Sequence, residues 1–133
     1  MEKVEAKIEA RVEYSAACLA YIGDAVFELN VRNMLLASGN RSVNKLNKEA
    51  RTYVAATAQA TMYHYIEPFL TDEEKSVMKR GRNLHSGSKA KNAEMSDYRH
   101  ATGLETLFGY LFLKGDDKRL TEVFELCIKT KDL

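Results

Sequence analysis

The apolar positions of the chain recur with helical spacing almost from end to end. Within the charged opening, Val4, Ile8 and Val12 fall every four residues, which predicts a short amphipathic helix with a narrow apolar stripe. A longer helix is predicted from about Ala16 to Ala37. There Leu19, Ile22, Val26, Leu29 and Val31 supply a broad apolar face, and Gly39 stands just past the end as a stop. Its small residues Ala16, Ala17, Ala20 and Gly23 permit close approach of another backbone. A third pattern runs from about Val43 to Tyr65, with Ser42 as its N-cap and Pro68 closing it, because residues before proline are driven out of the helical region. Thr71 followed by Glu74 matches a capping box and starts a short helix through Val77 and Met78.

From Gly81 to about Met95 the apolar period lapses and two glycines appear, which predicts a long polar loop. Ser96 is then the expected cap of a core-crossing helix that carries Leu104, Leu107, Phe108, Leu111 and Phe112 and ends at Gly115. The last helix, about Asp116 to Thr130, should bury Leu120, Val123, Phe124 and Cys127 or Ile128. Composition points the same way. One proline and seven glycines in 133 residues are about half the usual share of turn-forming residues, which favours an all-α fold. With 45% apolar and 29% charged residues the chain is globular, and its length predicts one domain over residues 1–133.

The longest uncharged apolar-rich run, Tyr14 to Gly23, stops at Asp24, well short of the roughly 20 residues of a membrane span. The opening alternates Glu with Lys or Arg instead of leading into an apolar stretch, so no secretory signal and a cytoplasmic location are expected. Cys18 and Cys127 lie within apolar patterns without metal or haem spacing and are expected to be buried free thiols.

Two carboxylates interrupt apolar stretches. Asp24 sits beside Gly23, and Glu105 stands in LETLFGYLFL with Gly109 one turn on. A desolvated carboxylate needs a cationic side chain, backbone donors or a metal ion, so each acid is open to a structural ion pair or to metal ligation. Periodicity does not establish that two residues so distant in sequence meet. Glu28 shares a helix face with Asp24 and is expected to be solvated or salt-bridged. The region from Lys75 to His100 carries seven cations against only Glu94 and Asp97, a local excess of five in a chain of net charge +1. Such a region is either a solvated charge run or a surface for a phosphate backbone. His64, His85 and His100 show no HxxxH spacing, and no Ser or Cys sits in a nucleophile-elbow context.

AYIGDAVFEL at residues 20–29 resembles the signature segment of the ribonuclease III catalytic domain, and LETLFGYLFL at 104–113 resembles its second acidic segment. MKRGRNLHSGSKAKN followed by YRHATGLE is similar more narrowly to Mini-III, the short bacterial branch without a double-stranded RNA-binding domain. The three segments occur in order, and the length leaves no room for an appended domain.

This resemblance implies the all-helical ribonuclease III endonuclease fold and a homodimer that holds double-stranded RNA, each protomer cutting one strand. Asp24 and Glu105 align with the two acidic positions that the Mini-III branch retains and are implied as catalytic metal ligands, with magnesium as the expected ion. Carboxylate oxygens suit such a hard cation, and the absence of His or Cys beside these motifs argues against zinc. Lys79, Arg80, Arg82, Lys89 and Lys91 would track phosphates, while Tyr98 and Arg99, preceding the second acidic helix, would position the strand. The likeness further implies maturation of the large-subunit (23S) ribosomal RNA precursor. Other ribonuclease III enzymes carry additional acids at the positions matched by Ala17, Ala20 and Thr102. Their absence keeps a non-catalytic double-stranded RNA-binding dimer as the alternative, and a helical protein-interaction module as a third possibility.

Overall fold

The computed structural model describes residues 13–85 and 93–133, and within them the chain is helical with no strand. Helix α1 spans Ala16–Ala37, α2 Val43–Val54, α3 Ala56–Ile66, α4 Asp72–Arg82, α5 Ala93–Lys114 and α6 Asp117–Lys129. Short 3-10 turns occupy Glu67–Phe69, Asn83–His85 and Thr130–Asp132.

Side-chain caps start four of these helices. Ser15 Oγ accepts from the Cys18 amide at 3.2 Å, Ser42 Oγ from Lys45 at 3.2 Å, and Asp116 Oδ1 from Arg119 at 3.2 Å. Thr71 and Glu74 complete the expected capping box, each side chain accepting from the other's backbone amide at 3.1 and 2.9 Å. Each such cap stabilises its helix by about 1 kcal/mol. Beyond the C-terminal ends of α1 and α5, Gly39 and Gly115 adopt φ of 145° and 78°, a region that L side chains rarely enter.

Helix α5 runs through the middle, packed against α1, α3, α4 and α6. Its sequence explains that position. Leu104, Leu107, Phe108 and Leu111 are buried, and so are the small residues Ala101, Gly103 and Gly109, so the helix has little polar face to offer water. Around it an aromatic cluster forms: the Phe27 and Phe108 rings meet edge to face at 5.1 Å between centroids, and Phe124 lies 5.8 Å from Phe27. Full burial of side chains such as these contributes roughly 1.5–3 kcal/mol apiece before chain entropy is counted. At the α4–α6 junction, Arg119 grips the buried Glu74 with two bonds of 2.8 Å and donates to the Phe69 carbonyl at 3.0 Å.

Several sequence expectations are corrected. The pattern from Val43 to Tyr65 is two helices, broken at Ala55, whose ψ of 145° is extended. No proline or glycine marks the break; α2 packs on α1 whereas α3 packs on α5 and α6, so tertiary contacts set it. Gly81, assigned to a loop, is buried in α4, where an added Cβ would lie 2.0 Å from Thr106 Oγ1. Helix α5 begins at Ala93, which places Ser96, Tyr98 and Arg99 inside the helix rather than before it. Leu29 and Phe112, assigned to the core, are exposed, and Cys18 is an exposed thiol on the outer side of α1, unlike the buried Cys127. The opening stretch with Val4, Ile8 and Val12 lies outside the described residues. Among the described residues no helix is long and apolar enough to cross a membrane.

Candidate active site

Two glycines let the backbones of α1 and α5 touch. A Cβ on Gly23 would fall 1.7 Å from the Glu105 carbonyl oxygen, and one on Gly109 would fall 1.9 Å from the Leu19 carbonyl oxygen. With Gly23 turned into that contact, the next residue, Asp24, is rotated by about 100° into an open cleft between the same helices. Glu105 reaches the cleft from the α5 side.

The cleft has a volume of about 560 Å³. Ala20, Tyr21, Asp24 and Glu28 line its α1 wall, and Tyr98, Thr102 and Glu105 its α5 wall. Asp24 is exposed, which corrects the expectation of a buried carboxylate, whereas Glu105 is half-buried. Burial pushes the Glu105 carboxyl up to about 8, the neighbouring Asp24 carboxylate adds to the rise, and a hydrogen bond from Gln59 opposes it. None of the ion pairs among the described residues, Arg32–Glu28, Arg41–Glu49 and those of Arg119, involves Asp24 or Glu105. Glu28 is engaged by Arg32 at 2.8 Å, as the salt-bridged expectation has it.

Two hard carboxylates facing one cleft, with Asp24 raising the cost of ionising Glu105, form a donor set suited to a divalent cation. Among the described residues no group of three His, Cys, Asp or Glu side chains is gathered for a metal, so water and phosphate oxygens would complete the shell of an ion held by Asp24 and Glu105. Ala20 and Thr102, two positions where the wider pattern carries acids, line this cleft. The Thr102 hydroxyl is turned back to the Tyr98 carbonyl at 2.9 Å, and Ala17 lies exposed on α1.

The residues expected to contact RNA fall into four sets. Lys79 and Arg80 are exposed on α4. Arg82 is half-buried, its charge acts on the nearby Tyr63 phenol, and it donates to Asn83 Oδ1 at 3.2 Å. Tyr98 is 49% exposed at the cleft wall, and Arg99 is half-buried beside it in α5. Lys89 and Lys91 lie outside the described residues. Gln59 escaped the sequence reasoning: it is 3% exposed on α3 and faces Glu105 from within the core. Its only signal is an amide in the run ATAQATM, among small residues that offer it no local partner.

Comparison with known proteins agrees with this geometry. The model of the Ribonuclease III domain matches residues 17–116. The chain is 49% identical over 107 residues to Mini-ribonuclease 3 of Brevibacillus brevis, covering 80% of each chain. It is 43% identical over 121 residues to Mini-ribonuclease 3 of a Thermoanaerobacter species, covering 91% of this chain and 85% of that one. A crystal structure of a protein from Fusobacterium nucleatum superposes with a TM-score of 0.76 at 29% identity, covering 90% of this chain and 95% of that one. A cleft that sets one acid of each family segment face to face, on a fold and sequence so matched, places the chain in the ribonuclease III family, in its Mini-ribonuclease 3 branch.

Proposed function

We propose that this ribonuclease III-type endoribonuclease hydrolyses the phosphodiester backbone of double-stranded RNA in the Asp24–Glu105 cleft, with magnesium held by the two carboxylates. The convergence of these acids across the α1–α5 crossing carries the proposal. Bound there, magnesium supplies a Lewis acid that activates water and offsets charge on the phosphate oxygens. Asp24 offers its carboxylate from the solvent side, while Glu105, held from behind by Gln59, fixes the inner edge of the site. Glu105 must shed a proton to act as a ligand at neutral pH, which couples cation binding to proton release.

Lys79, Arg80, Arg82, Lys89, Lys91 and Arg99 are proposed to contact phosphates and Tyr98 to support the strand at the cleft wall. A site reached by backbone contacts selects A-form geometry, with its shallow minor groove and exposed 2′-hydroxyls, in preference to a base sequence. Tyr14 just before α1, Tyr21 and Leu29 on it, and Phe112 beside Leu29 are exposed apolar side chains; this supports a homodimer. A large-subunit ribosomal RNA precursor as substrate and a cytoplasmic site of action complete the proposal on family likeness.

Ala20 and Thr102 at the cleft favour a second reading, a non-catalytic double-stranded RNA-binding dimer. One experiment separates the two. Purified protein is incubated with duplex RNA, single-stranded RNA and duplex DNA, with magnesium or with excess chelator. Cleavage of duplex RNA alone, dependent on the cation, is expected; binding of duplex RNA without cleavage selects the second reading, and metal-independent cutting contradicts the site.

A further inference from the structure

A different pair of ligating side chains lies on the two helices that bring Gln59 to Glu105. The rings of His64, in the last turn of α3, and His100, in α5, are 4.5 Å apart between centroids with planes tilted by 43°. The Tyr63 ring meets His100 edge-on at 4.7 Å. Gln59 precedes His64 by five residues and Glu105 follows His100 by five, so the helices run antiparallel and the imidazoles lie roughly 7.5 Å along the helix axis from Glu105. They belong neither to the acidic cleft nor to its lining.

The orientation of His100 decides which atom is available. Its Nδ1 lies 2.7 Å from the Ser96 carbonyl oxygen, which only accepts, so Nδ1 carries the proton and Nε2 keeps its lone pair in the neutral ring. A backbone bond of this kind is what fixes ring and tautomer in metal-ligating histidines. His64 is exposed, and its ring lies against that of His100. Glu67 and Arg82 both act on the nearby Tyr63 phenol, so the surroundings carry charges of both signs.

We propose that His64 and His100 form a binding site for a borderline-soft divalent cation, zinc or its neighbours nickel and copper, separate from the hard-cation site at Asp24 and Glu105. Imidazole nitrogen prefers these ions, whereas carboxylate oxygen prefers magnesium. Among the described residues no third His, Cys, Asp or Glu joins the pair, so water fills the remaining positions and the affinity is modest. The ion ties α3 to α5 directly beside the elements that hold Gln59 and Glu105. Local spacing does not reveal the pair, because its members come from different helices thirty-six positions apart.

Calorimetric titration of the full chain with nickel or zinc, with magnesium in excess, tests the site. Saturable binding is expected at neutral pH. His64→Ala and His100→Gln should each reduce it at least roughly tenfold, while Asp24→Asn and His85→Ala retain it. The melting temperature of the wild type should rise by about 3–5 °C at saturating metal, and that of His64→Ala should not. Since His64 is exposed, His64→Ala reports on the site even if His100→Gln fails to fold. No saturable binding to the wild type, or equal binding to His64→Ala, overturns the proposal.

Discussion

Gly23 lies against the main chain of Glu105 so closely that a Cβ on it would stand 1.7 Å from the Glu105 carbonyl oxygen. The contact is between backbones, not flexible side chains, so neither partner can give way cheaply. It sets the spacing of α1 and α5 and thereby brings Asp24 and Glu105 to one cleft.

Gly23→Ala is therefore expected to destabilise the fold by about 3 kcal/mol or more, since the helices must separate and the Phe27–Phe108 contact loosen. Urea denaturation measures this directly. A loss below about 1 kcal/mol would show that the crossing is looser than the geometry requires.

The Glu105 carboxyl gives a pH dependence of known sign. Its folded value, about 8, stands above the ordinary 4.5, so the native state binds more protons than the unfolded chain between these limits. Stability from this group is fully present below about pH 4.5 and is lost as pH rises toward 8, by an amount on the order of 2 kcal/mol after allowance for water in the cleft. Melting curves in chelator should show the decline, and Glu105→Gln should abolish it. Magnesium should lessen the decline in the wild type by favouring the ionised form.

Glu74 behaves oppositely. Hydrogen bonds from Arg119 hold its carboxyl below the ordinary range, so its contribution is present above about pH 4.5 and is lost as pH falls through the folded value. Glu74→Ala removes the partner of a guanidinium only 23% exposed and half of the capping box, for an expected cost of about 2 kcal/mol. Chemical denaturation at neutral pH checks the figure, and its cost should shrink in acid.

Much of the fold is legible because helix punctuation is local. The Thr71–Glu74 box, the Ser42 cap and the glycines after α1 and α5 act within a few residues of themselves. The break at Ala55 is not legible, since the helices on either side of it take their directions from different neighbours. In the site, Asp24 and Glu105 stand out as charges in apolar runs, yet their meeting depends on Gly23 and Gly109, whose role appears only when another backbone is present. The assumption that Asp24 is buried fails for the same reason: Gly23 takes the inward position and leaves Asp24 to the cleft.

Phosphate contacts by the basic region predict a salt signature. Neutralising Lys79 and Arg80 together should reduce the slope of log affinity for duplex RNA against log salt by about 1 to 2, with little dependence on RNA sequence. Filter binding in chelator, where no cleavage intervenes, measures the slope. An unchanged slope would remove both residues from the RNA surface.

Cleavage of one duplex RNA by wild type, Asp24→Asn and Glu105→Gln, followed across a magnesium titration, tests the shared cation site most directly. Each variant keeps the side-chain shape and removes one ionisable carboxyl, so both should fold, bind RNA in chelator and lose cleavage by about 100-fold or more, with added magnesium recovering little. Wild-type rates from either variant at the same magnesium concentration would contradict a cation held between Asp24 and Glu105.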